Sequence, residues 1–432
     1  MERRLNAELW DKMHYLFRDY NDRMVHVELT YDFRIDVEAL RTVLICFFEK
    51  NPVFHASFTD NHVSPYWTVK PYRIDDVVHV REVTEAELPA AVDEFLTQCL
   101  PPEGDLQMQV MVFFHGEKTT LCIVENHMCM DGGDFKTFLS AFCKNYNDYV
   151  ENGVSPLDFR VGSRSYETVY QSFSPQEQKA AKNLYRNINK KDTHAFPLTK
   201  SAKEDRSFIA RRRISAETFL KIKSEGKKYG ATINDMLTAA YFYSLYELAG
   251  FDPNESLTIS SAIDLRRHVK DTEGMGMTNH TAWMQCEVPE RGRDIFETLQ
   301  YCTRSYARFK QDKYMGLHGL PLLSFGYKIM PLAVSEPIIK IGYSNPLIAM
   351  SNIGILDVKA LALCGHEPVD GFMSGAVKYK PFVLLSVTSM RNEMTFSMCV
   401  RGNDEDKRIV ERFFDLLEKN IGVLIGDAPA AE

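Results

Sequence analysis

The amino-acid sequence predicts a mixed α/β protein built from two lobes. A chain of 432 residues is too long for one ordinary hydrophobic core, which favours two domains. Both halves contain strand-like and helix-like patterns, but these do not alternate regularly as in a doubly wound fold, so we expect mixed sheets. A polar, lysine-rich stretch at residues 172–205 predicts a connection between a first lobe, residues 1–171, and a second lobe, residues 206–432.

Composition and charge restrict the classes of function. Hydrophobic residues make up 45% of the chain and charged residues 25%, which is typical of a soluble globular protein. The formal net charge of −8 argues against a general nucleic-acid binder, because phosphate recognition needs a basic surface. No apolar stretch is long and uncharged enough to predict a membrane span, and the N-terminus lacks the apolar segment of a signal peptide.

The cysteine pattern predicts a cytoplasmic protein without a resident metal. The nine cysteines are an odd number, scattered and without a C-x-x-C pair, which suits a reducing compartment better than a disulfide framework. Cys122, His127 and Cys129 do not have the spacing of a zinc site. The glycines at residues 274–276 do not lie between a strand and a helix as a dinucleotide loop requires, so no bound cofactor is expected.

The first lobe is predicted to combine short strands with amphipathic helices. Its predicted strands are residues 24–33, 54–58, 66–69, 108–115 and 119–125. A helix over residues 7–20 opens the lobe, and Asp36 has the position of an N-cap for a second helix that ends before Pro52. Thr84 and Glu87 form a capping box for a third helix. The last two strands are joined by a short turn and therefore predict a hairpin.

The second lobe is predicted to contain the strongest helix of the chain, between Thr232 as its cap and Gly250 at its end. Ser244 is the only polar residue in the apolar stripe of this helix, and it is small enough to lie in a helix contact. The predicted strands of this lobe are residues 208–214, 257–262, 349–355, 382–390 and 394–401. Its other predicted helices are residues 216–229, residues 295–309 and a final one from Asp404 onward.

The chemistry-bearing segment is residues 119–139, which predict a strand, a tight loop and a helix. The loop carries an H-x-x-x-D-G pattern made by His127, Asp131 and Gly132, and Gly133 follows. A histidine at a strand end can take a proton from a hydroxyl or amine nucleophile, and the glycines remove side chains next to it. The alternative is a structural histidine beside a surface turn. Asp134 has the position of an N-cap for the helix that follows.

Asp131 has two possible roles. It could orient His127 directly, as in a catalytic triad, or it could pair with an arginine, since a buried carboxylate needs a partner. Arg266 and Arg267, after the strand at residues 257–262, are the best candidates for that pairing. Cys129 could act as a nucleophile beside His127, but a small buried cysteine is the favoured interpretation.

Four segments resemble the acyltransferase superfamily with the chloramphenicol-acetyltransferase-like fold, most closely its alcohol O-acetyltransferase and wax-synthase-like branch. The superfamily also includes nonribosomal-peptide condensation domains. The segments, in chain order, are His127-x-x-x-Asp131-Gly132, the helix start at residues 231–235, Asp264-Leu265-Arg266-Arg267 with the later Thr278-Asn279, and Ser351-Asn352-Ile353-Gly354. Many family members have two adjacent histidines, and here the first of these positions is Asn126.

The resemblance implies two chloramphenicol-acetyltransferase-like lobes that form a V-shaped pseudo-dimer around a central channel. His127 would be the general base near the middle of the channel. Asp131 would be structural and paired with Arg266, beside Gly132. Asn126 and Gly133 are expected to line the channel, together with Ser351 and Asn352, which are also the candidates for stabilising the oxyanion.

The resemblance also implies an acyl thioester as co-substrate. The donor would be acyl-coenzyme A or a phosphopantetheine thioester on an acyl carrier protein, and the acceptor a small alcohol or amine. The resemblance to the alcohol O-acetyltransferase branch favours an acyl-coenzyme A-dependent transferase. The alternatives are a condensation-like enzyme acting on carrier-bound substrates and a catalytically silent binding member of the fold.

Overall fold

A computed structural model describes residues 2–61, 63–154, 159–184, 191–272, 274–342 and 345–427. These residues form a mixed α/β fold, as the sequence predicts. The strands are β1 (Arg4–Asn6), β2 (Met24–Tyr31), β3 (Ala56–Thr59), β4 (Tyr66–Val69), β5 (Val78–Glu82), β6 (Met108–His115), β7 (Lys118–Asn126), β8 (Arg206–Ile214), β9 (Leu257–Asp264), β10 (Thr281–Val288), β11 (Ile348–Ile355), β12 (Asp370–Ser374), β13 (Lys378–Tyr379), β14 (Val383–Met390) and β15 (Glu393–Gly402).

The helices belong to both halves of the chain. They are α1 (Leu9–Leu16), α2 (Val37–Lys50), α3 (Ile74–Val77), α4 (Leu88–Leu96), α5 (Gly132–Asn152), α6 (Pro175–Ala181), α7 (Ala216–Lys228), α8 (Ile233–Ala249), α9 (Ile295–Lys310), α10 (Leu320–Ile329), α11 (Leu332–Gly342) and α12 (Asp404–Leu424). Short 3-10 turns occupy Phe17–Asp19, Pro52–His55, Tyr166–Tyr170 and Leu265–His268. Within the described ranges, no helix has both the length and the apolar character of a membrane span.

Two large sheets organise the lobes. The first-lobe sheet has the strand order β12-β2-β7-β6-β5, in which β2, β7 and β6 are antiparallel neighbours. The second-lobe sheet runs β10-β9-β11-β14-β15, and β15 also pairs with β8 and β13. A small sheet of β1, β4 and β3 lies apart from both. The mixture of parallel and antiparallel pairs explains why strands and helices do not alternate regularly along the sequence.

Strand β12 joins the two lobes. It belongs to the second half of the sequence, yet it pairs antiparallel with β2, with Asp370 opposite Thr30 and Ser374 opposite His26. On its other side, Thr388 of β14 donates its Oγ1 hydroxyl to the carbonyl of Met373 at 2.7 Å. A boundary at residues 172–205 therefore does not separate the two sheets, because the chain returns to the first lobe after residue 369.

The hydrophobic cores follow this arrangement. One buried cluster fills the first lobe between its sheet and helices α2 and α5. A second cluster packs α8, α9 and α12 against the second-lobe sheet. A smaller cluster lies between the lobes, where Trp10 and Met13 of α1 pack near Leu265 and Leu320. Helix α1 is thus held in place by the second lobe as well as the first.

Elements with strong local signals fold where the sequence predicts them. The predicted β6–β7 hairpin is present, and Thr232 and Asp235 form a capping box at the start of α8, which ends before Gly250 at φ 64°. The Thr84–Glu87 box is formed, but the helix begins only at Leu88. The elements that were not predicted are strands β1, β5, β10, β12 and β13 and helices α3, α10 and α11. The opening helix is shorter than expected, because a 3-10 turn replaces its last residues.

Ser244 gives a first testable prediction. Its hydroxyl accepts a hydrogen bond from Asn420 Nδ2 at 3.0 Å, in the buried contact between α8 and α12. Ser244→Ala is expected to lower the free energy of unfolding by about 1–3 kcal/mol, because it leaves the buried amide donor without its acceptor. Chemical denaturation measures the change. Ser224→Ala, on the exposed face of α7, is the matched control and should shift stability by less than about 0.5 kcal/mol.

Candidate active site

A cavity of about 250 Å³ lies between the lobes. The first lobe contributes the loop that follows β7 and part of α1, and the second lobe contributes β9, β10, β11 and the chain around β13. The predicted site residues that line it are His127, Asp131, Gly132, Gly133, Ser351 and Asn352. Side chains far apart in the sequence therefore meet at one place.

The backbone around His127 is fixed on both sides. Its amide donates to the carbonyl of Arg23 at 2.7 Å, and its own carbonyl accepts from Asn279 Nδ2 at 2.7 Å. Strand β7 ends one residue earlier, so the imidazole leaves the sheet and faces the cavity. Its Nδ1 atom is buried and has no hydrogen-bond partner among the residues that the structure describes. This leaves Nε2 as the nitrogen available to a substrate.

The surroundings of His127 favour its neutral form. Burial lowers the pKa of the imidazole below 6.5, since a low-dielectric environment disfavours the charged ring, and the nearby Lys378 ammonium acts in the same direction. The Asp131 carboxylate opposes the shift without cancelling it. A neutral imidazole is the form that can accept a proton.

A second histidine packs against the first. The rings of His14, on α1, and His127 are stacked with centroids 4.3 Å apart and an interplanar angle of 26°. Burial, and then the neighbouring His127, hold the pKa of His14 well below 6.5. The stack therefore joins two neutral rings and restricts the orientation of His127. His14 was not predicted as a site residue, because no motif in the neighbouring sequence identifies it.

Asp131 is the N-cap of helix α5. Its Oδ1 accepts from the amides of Gly133 at 2.9 Å and Asp134 at 3.0 Å. Its Oδ2 accepts from the amide of His280 at 2.6 Å and lies 3.0 Å from Nη1 of Arg266. The prediction that Asp134 caps this helix is wrong, because Asp131 occupies the cap and Asp134 lies inside the first turn.

Arg266 links the two lobes through this carboxylate. Its guanidinium also reaches Asp134 Oδ2 at 2.8 Å and Asp264 Oδ1 at 3.0 Å. Burial alone would raise the pKa of Asp131, but the Arg266 charge and the hydrogen bonds from backbone amides outweigh burial and hold that pKa below its usual range. Asp131 makes no hydrogen bond to His127 in the described part of the chain. Its contacts are those of a structural residue, as in the arginine alternative.

Gly133 permits the close approach of this ion pair. A Cβ atom at this position would lie 3.1 Å from both Arg266 Nη1 and Asp131 Oδ1. At Gly132 the nearest atom would be Ile353 Cγ2 at 3.9 Å, an ordinary contact. The absent side chain at Gly133 therefore makes room for the arginine more than for a substrate.

Three residues weighed in the sequence analysis lie away from the cavity lining. Asn126 was expected in the channel, but its side chain is buried, donating to Gln107 Oε1 at 2.8 Å and accepting from the amide of Met128. It stabilises the turn after β7 instead. Arg267 lies beside the sulfur of Met315. Burial raises the pKa of the Cys129 thiol well above 9, so it is a poor nucleophile.

Arg164 is a further residue that sequence analysis missed. It pairs with the buried Asp11 of α1 at 2.9 Å and donates to the carbonyls of Met128 at 3.1 Å and Met277 at 3.2 Å. It thus ties the loop after His127 to α1 and to the second lobe. Arg164 lies outside any periodic segment, so no local pattern could identify it. Among the described residues no cluster of three potential metal ligands is present.

The sequence model of the Condensation domain family matches residues 14–285 of the chain. The chain belongs to the condensation-domain family. The match covers the His127 loop, Arg266 and Asn279, which build the site from both lobes. The resemblance to the chloramphenicol-acetyltransferase-like superfamily is confirmed, since condensation domains are members of it. No curated protein matches the chain in sequence.

Solved structures share the fold of this condensation-family protein. The first condensation domain of the calcium-dependent antibiotic synthetase aligns over 100% of this chain and 99% of its own, with a TM-score of 0.68 and 12% identity. Trichothecene 15-O-acetyltransferase from Fusarium sporotrichioides aligns over 96% and 95%, with a TM-score of 0.65 and 12% identity. Polyketide synthase associated protein 5 from Mycobacterium tuberculosis aligns over 97% and 98%, with a TM-score of 0.67 and 14% identity.

Proposed function

We propose that this condensation-family protein transfers an acyl group from a thioester to the hydroxyl or amine of a small acceptor, with His127 as general base. The observation that carries the proposal is the imidazole itself. It faces a cavity between the lobes, its pKa is lowered, and the backbone of His127 is held by the carbonyl of Arg23 and the side-chain amide of Asn279.

The proposed reaction has two stages. As the acceptor oxygen or nitrogen attacks the thioester carbonyl, its proton moves to Nε2 of His127. The carbon–sulfur bond of the tetrahedral intermediate then breaks, and the proton on the imidazolium passes to the departing thiolate. The products are an ester or amide and a free thiol, and His127 returns to its neutral form. Asp131 and Arg266 position the loop without touching the reacting atoms.

Two thioester donors are compatible with this reaction. Acyl-coenzyme A and an acyl carrier protein both present the acyl group on a phosphopantetheine thiol. The sequence favours acyl-coenzyme A through its resemblance to alcohol O-acetyltransferases. The match to the Condensation domain supports the carrier-bound form as the second candidate. Both donors use the same chemistry at His127.

A direct experiment measures thiol release. The purified protein is incubated with acetyl- and longer acyl-coenzyme A, and separately with an acyl carrier protein, each with a panel of alcohols and amines. Release that depends on the acceptor and on His127 supports acyl transfer, and the active donor decides between the two candidates. If no donor yields thiol above the background of His127→Ala, the chain is a binding member of the family.

The pH dependence of the reaction follows from the lowered pKa of His127. The base must be unprotonated, so kcat/KM with a hydroxyl acceptor should fall as pH decreases through the pKa of the imidazole. Because burial lowers that pKa below 6.5, we expect the midpoint of the acid limb below pH 6.5. A pH–rate profile with the active donor measures it. A midpoint clearly above 6.5 would contradict the environment described for this ring.

A further inference from the structure

Lys378 lines the same cavity as His127, and its backbone is held on two sides. Strand β13 pairs in parallel with the end of β15, with Lys378 opposite Val400. On the other side it forms a bridge with Asn21, and the next amide, of Tyr379, donates to the carbonyl of Tyr20 at 2.9 Å. The ammonium group therefore extends from a rigid strand.

The ammonium of Lys378 has no hydrogen bond or ion pair with any residue that the structure describes. The neighbouring cations Lys136, Arg266 and Arg164, in contrast, do have partners. Lys136 also lines the cavity, but its Nζ donates to the carbonyl of Ile353 at 2.6 Å. Arg266 is surrounded by three carboxylates, and Arg164 is paired with Asp11. A partly buried charge without a partner costs free energy, which a bound anion can recover.

Asp22, the carboxylate whose charge acts on Lys378, does not supply the missing partner. Asp22 accepts hydrogen bonds at Oδ1 from the amides of Met24 and Val377, both at 3.0 Å, and makes no ion pair with Lys378. Burial raises the pKa of Asp22 to about 7, which weakens its negative charge at neutral pH. Burial also lowers the pKa of Lys378 to about 8, opposed by Asp22, so this lysine still carries its proton at pH 7. Among the described residues, His14, His127 and Cys399 also interact electrostatically with Lys378, and Arg23 does so with Asp22, and none of these four is a carboxylate.

The other walls of the cavity are largely apolar. Trp10 and Phe17 contribute aromatic surface from the first lobe, and Trp283 contributes it from β10. Val25 and Leu384 add aliphatic surface. The cavity therefore combines the unpaired Lys378 cation, one neutral base and an apolar body, and the two carboxylates that line it, Asp131 and Asp264, are both paired with Arg266. This set of groups matches an amphiphilic small molecule with a single negative charge.

We infer that Lys378 binds the carboxylate of the acceptor, so that the substrates are hydroxy or amino acids with an aromatic or aliphatic body. The inference rests on the proposed function for the role of His127, which would receive the proton of the hydroxyl or amine at the other end of the same molecule. One lysine matches the single charge of a carboxylate. Lys378 is in this view a specificity-determining residue.

The test compares 3-phenyllactate with its methyl ester as acceptors, because methylation removes the negative charge of the carboxyl group and adds only one methyl group. The ratio of their kcat/KM values is measured for the wild-type protein, for Lys378→Met and for Lys136→Met. We expect the wild type to favour the acid at least 10-fold, and Lys378→Met to lose that preference. Lys136→Met, which removes a partnered lysine from the same cavity, should keep it. An unchanged ratio in Lys378→Met overturns the inference.

A binding measurement separates this inference from the proposed function. Calorimetric titration of 3-phenyllactate into the wild-type protein and into Lys378→Met needs no turnover. Binding that weakens at least 10-fold in Lys378→Met supports the anion site, even if no donor is ever consumed. Equal binding in both proteins overturns it, even if acyl transfer is observed. If Lys378→Met lowers the melting temperature but leaves both the ratio and the binding unchanged, the lysine serves to neutralise Asp22 instead.

Discussion

Replacement of His127 by alanine is expected to lower the rate of acyl transfer by about 10²–10⁴-fold, the range that general-base catalysis supplies. The substitution removes the group that takes the acceptor's proton and leaves the backbone contacts with Arg23 and Asn279 available. The melting temperature should therefore change little. Steady-state thiol release and differential scanning calorimetry measure the two quantities.

A matched control is available on the surface. The side chain of His366 is 46% exposed and does not line the cavity, so His366→Ala should retain the wild-type rate. If His127→Ala and His366→Ala transfer acyl groups equally well, His127 is not the base. A rate loss in His127→Ala that is matched by loss of folded protein would also count against a catalytic role, because the expected defect is kinetic.

Removal of the Asp131 side chain is expected to damage the fold as well as the rate. Asp131→Ala leaves the buried Arg266 without its Asp131 partner, and breaking a buried pair costs about 3–5 kcal/mol. It also removes the N-cap of α5, which typically contributes about 1 kcal/mol. We expect a lower soluble yield and a lower midpoint in chemical denaturation. Asp131→Asn should lie between alanine and wild type, because the amide oxygen can still cap the helix.

Asp264 provides the comparison for this prediction. It contacts the same Arg266 nitrogen at 3.0 Å, but its side chain is 54% exposed. Water screens such a pair, so Asp264→Ala should cost only about 0–1 kcal/mol. Wild-type stability in Asp131→Ala, together with a purely kinetic defect, would contradict the structural role.

The acid stability of the protein should depend on Asp131 in the same experiment. Its folded-state pKa is lowered, so its contribution to stability is present above the unfolded pKa of about 3.9 and is lost as pH falls below it. Asp131→Ala should lack this part of the acid dependence.

Local signals in the sequence predicted local structure well. The capping box at Thr232 and the β6–β7 hairpin depend on residues a few positions apart, so a linear pattern contains the information. The cap of α5 shows where such patterns become ambiguous. Asp131 and Asp134 are both suitable caps, and both carboxylates pair with Arg266, but only Asp131 accepts from the first amides of the helix.

The site itself was predictable only in part. The pairing of Asp131 with Arg266 came from a family resemblance together with the requirement that buried charge be compensated. The stacking of His14 on His127 and the position of Lys378 result from tertiary packing. No pattern in the residues next to them in the sequence predicts either feature. Asn126, in contrast, was predicted to line the channel and does not. Its place beside His127 suggested the channel, but its side chain is bonded to Gln107 and to the amide of Met128, inside the turn after β7.

Strand β12 makes the two lobes unsuited to separation. A fragment ending at residue 171 would lack β12 and would expose the backbone amides and carbonyls of β2 at Thr30 to His26 as a free sheet edge. The complementary fragment would carry a strand without a sheet. The two fragments would have to associate to complete the first-lobe sheet. Cleavage of the connection at residues 172–205 would therefore produce two halves of one folding unit.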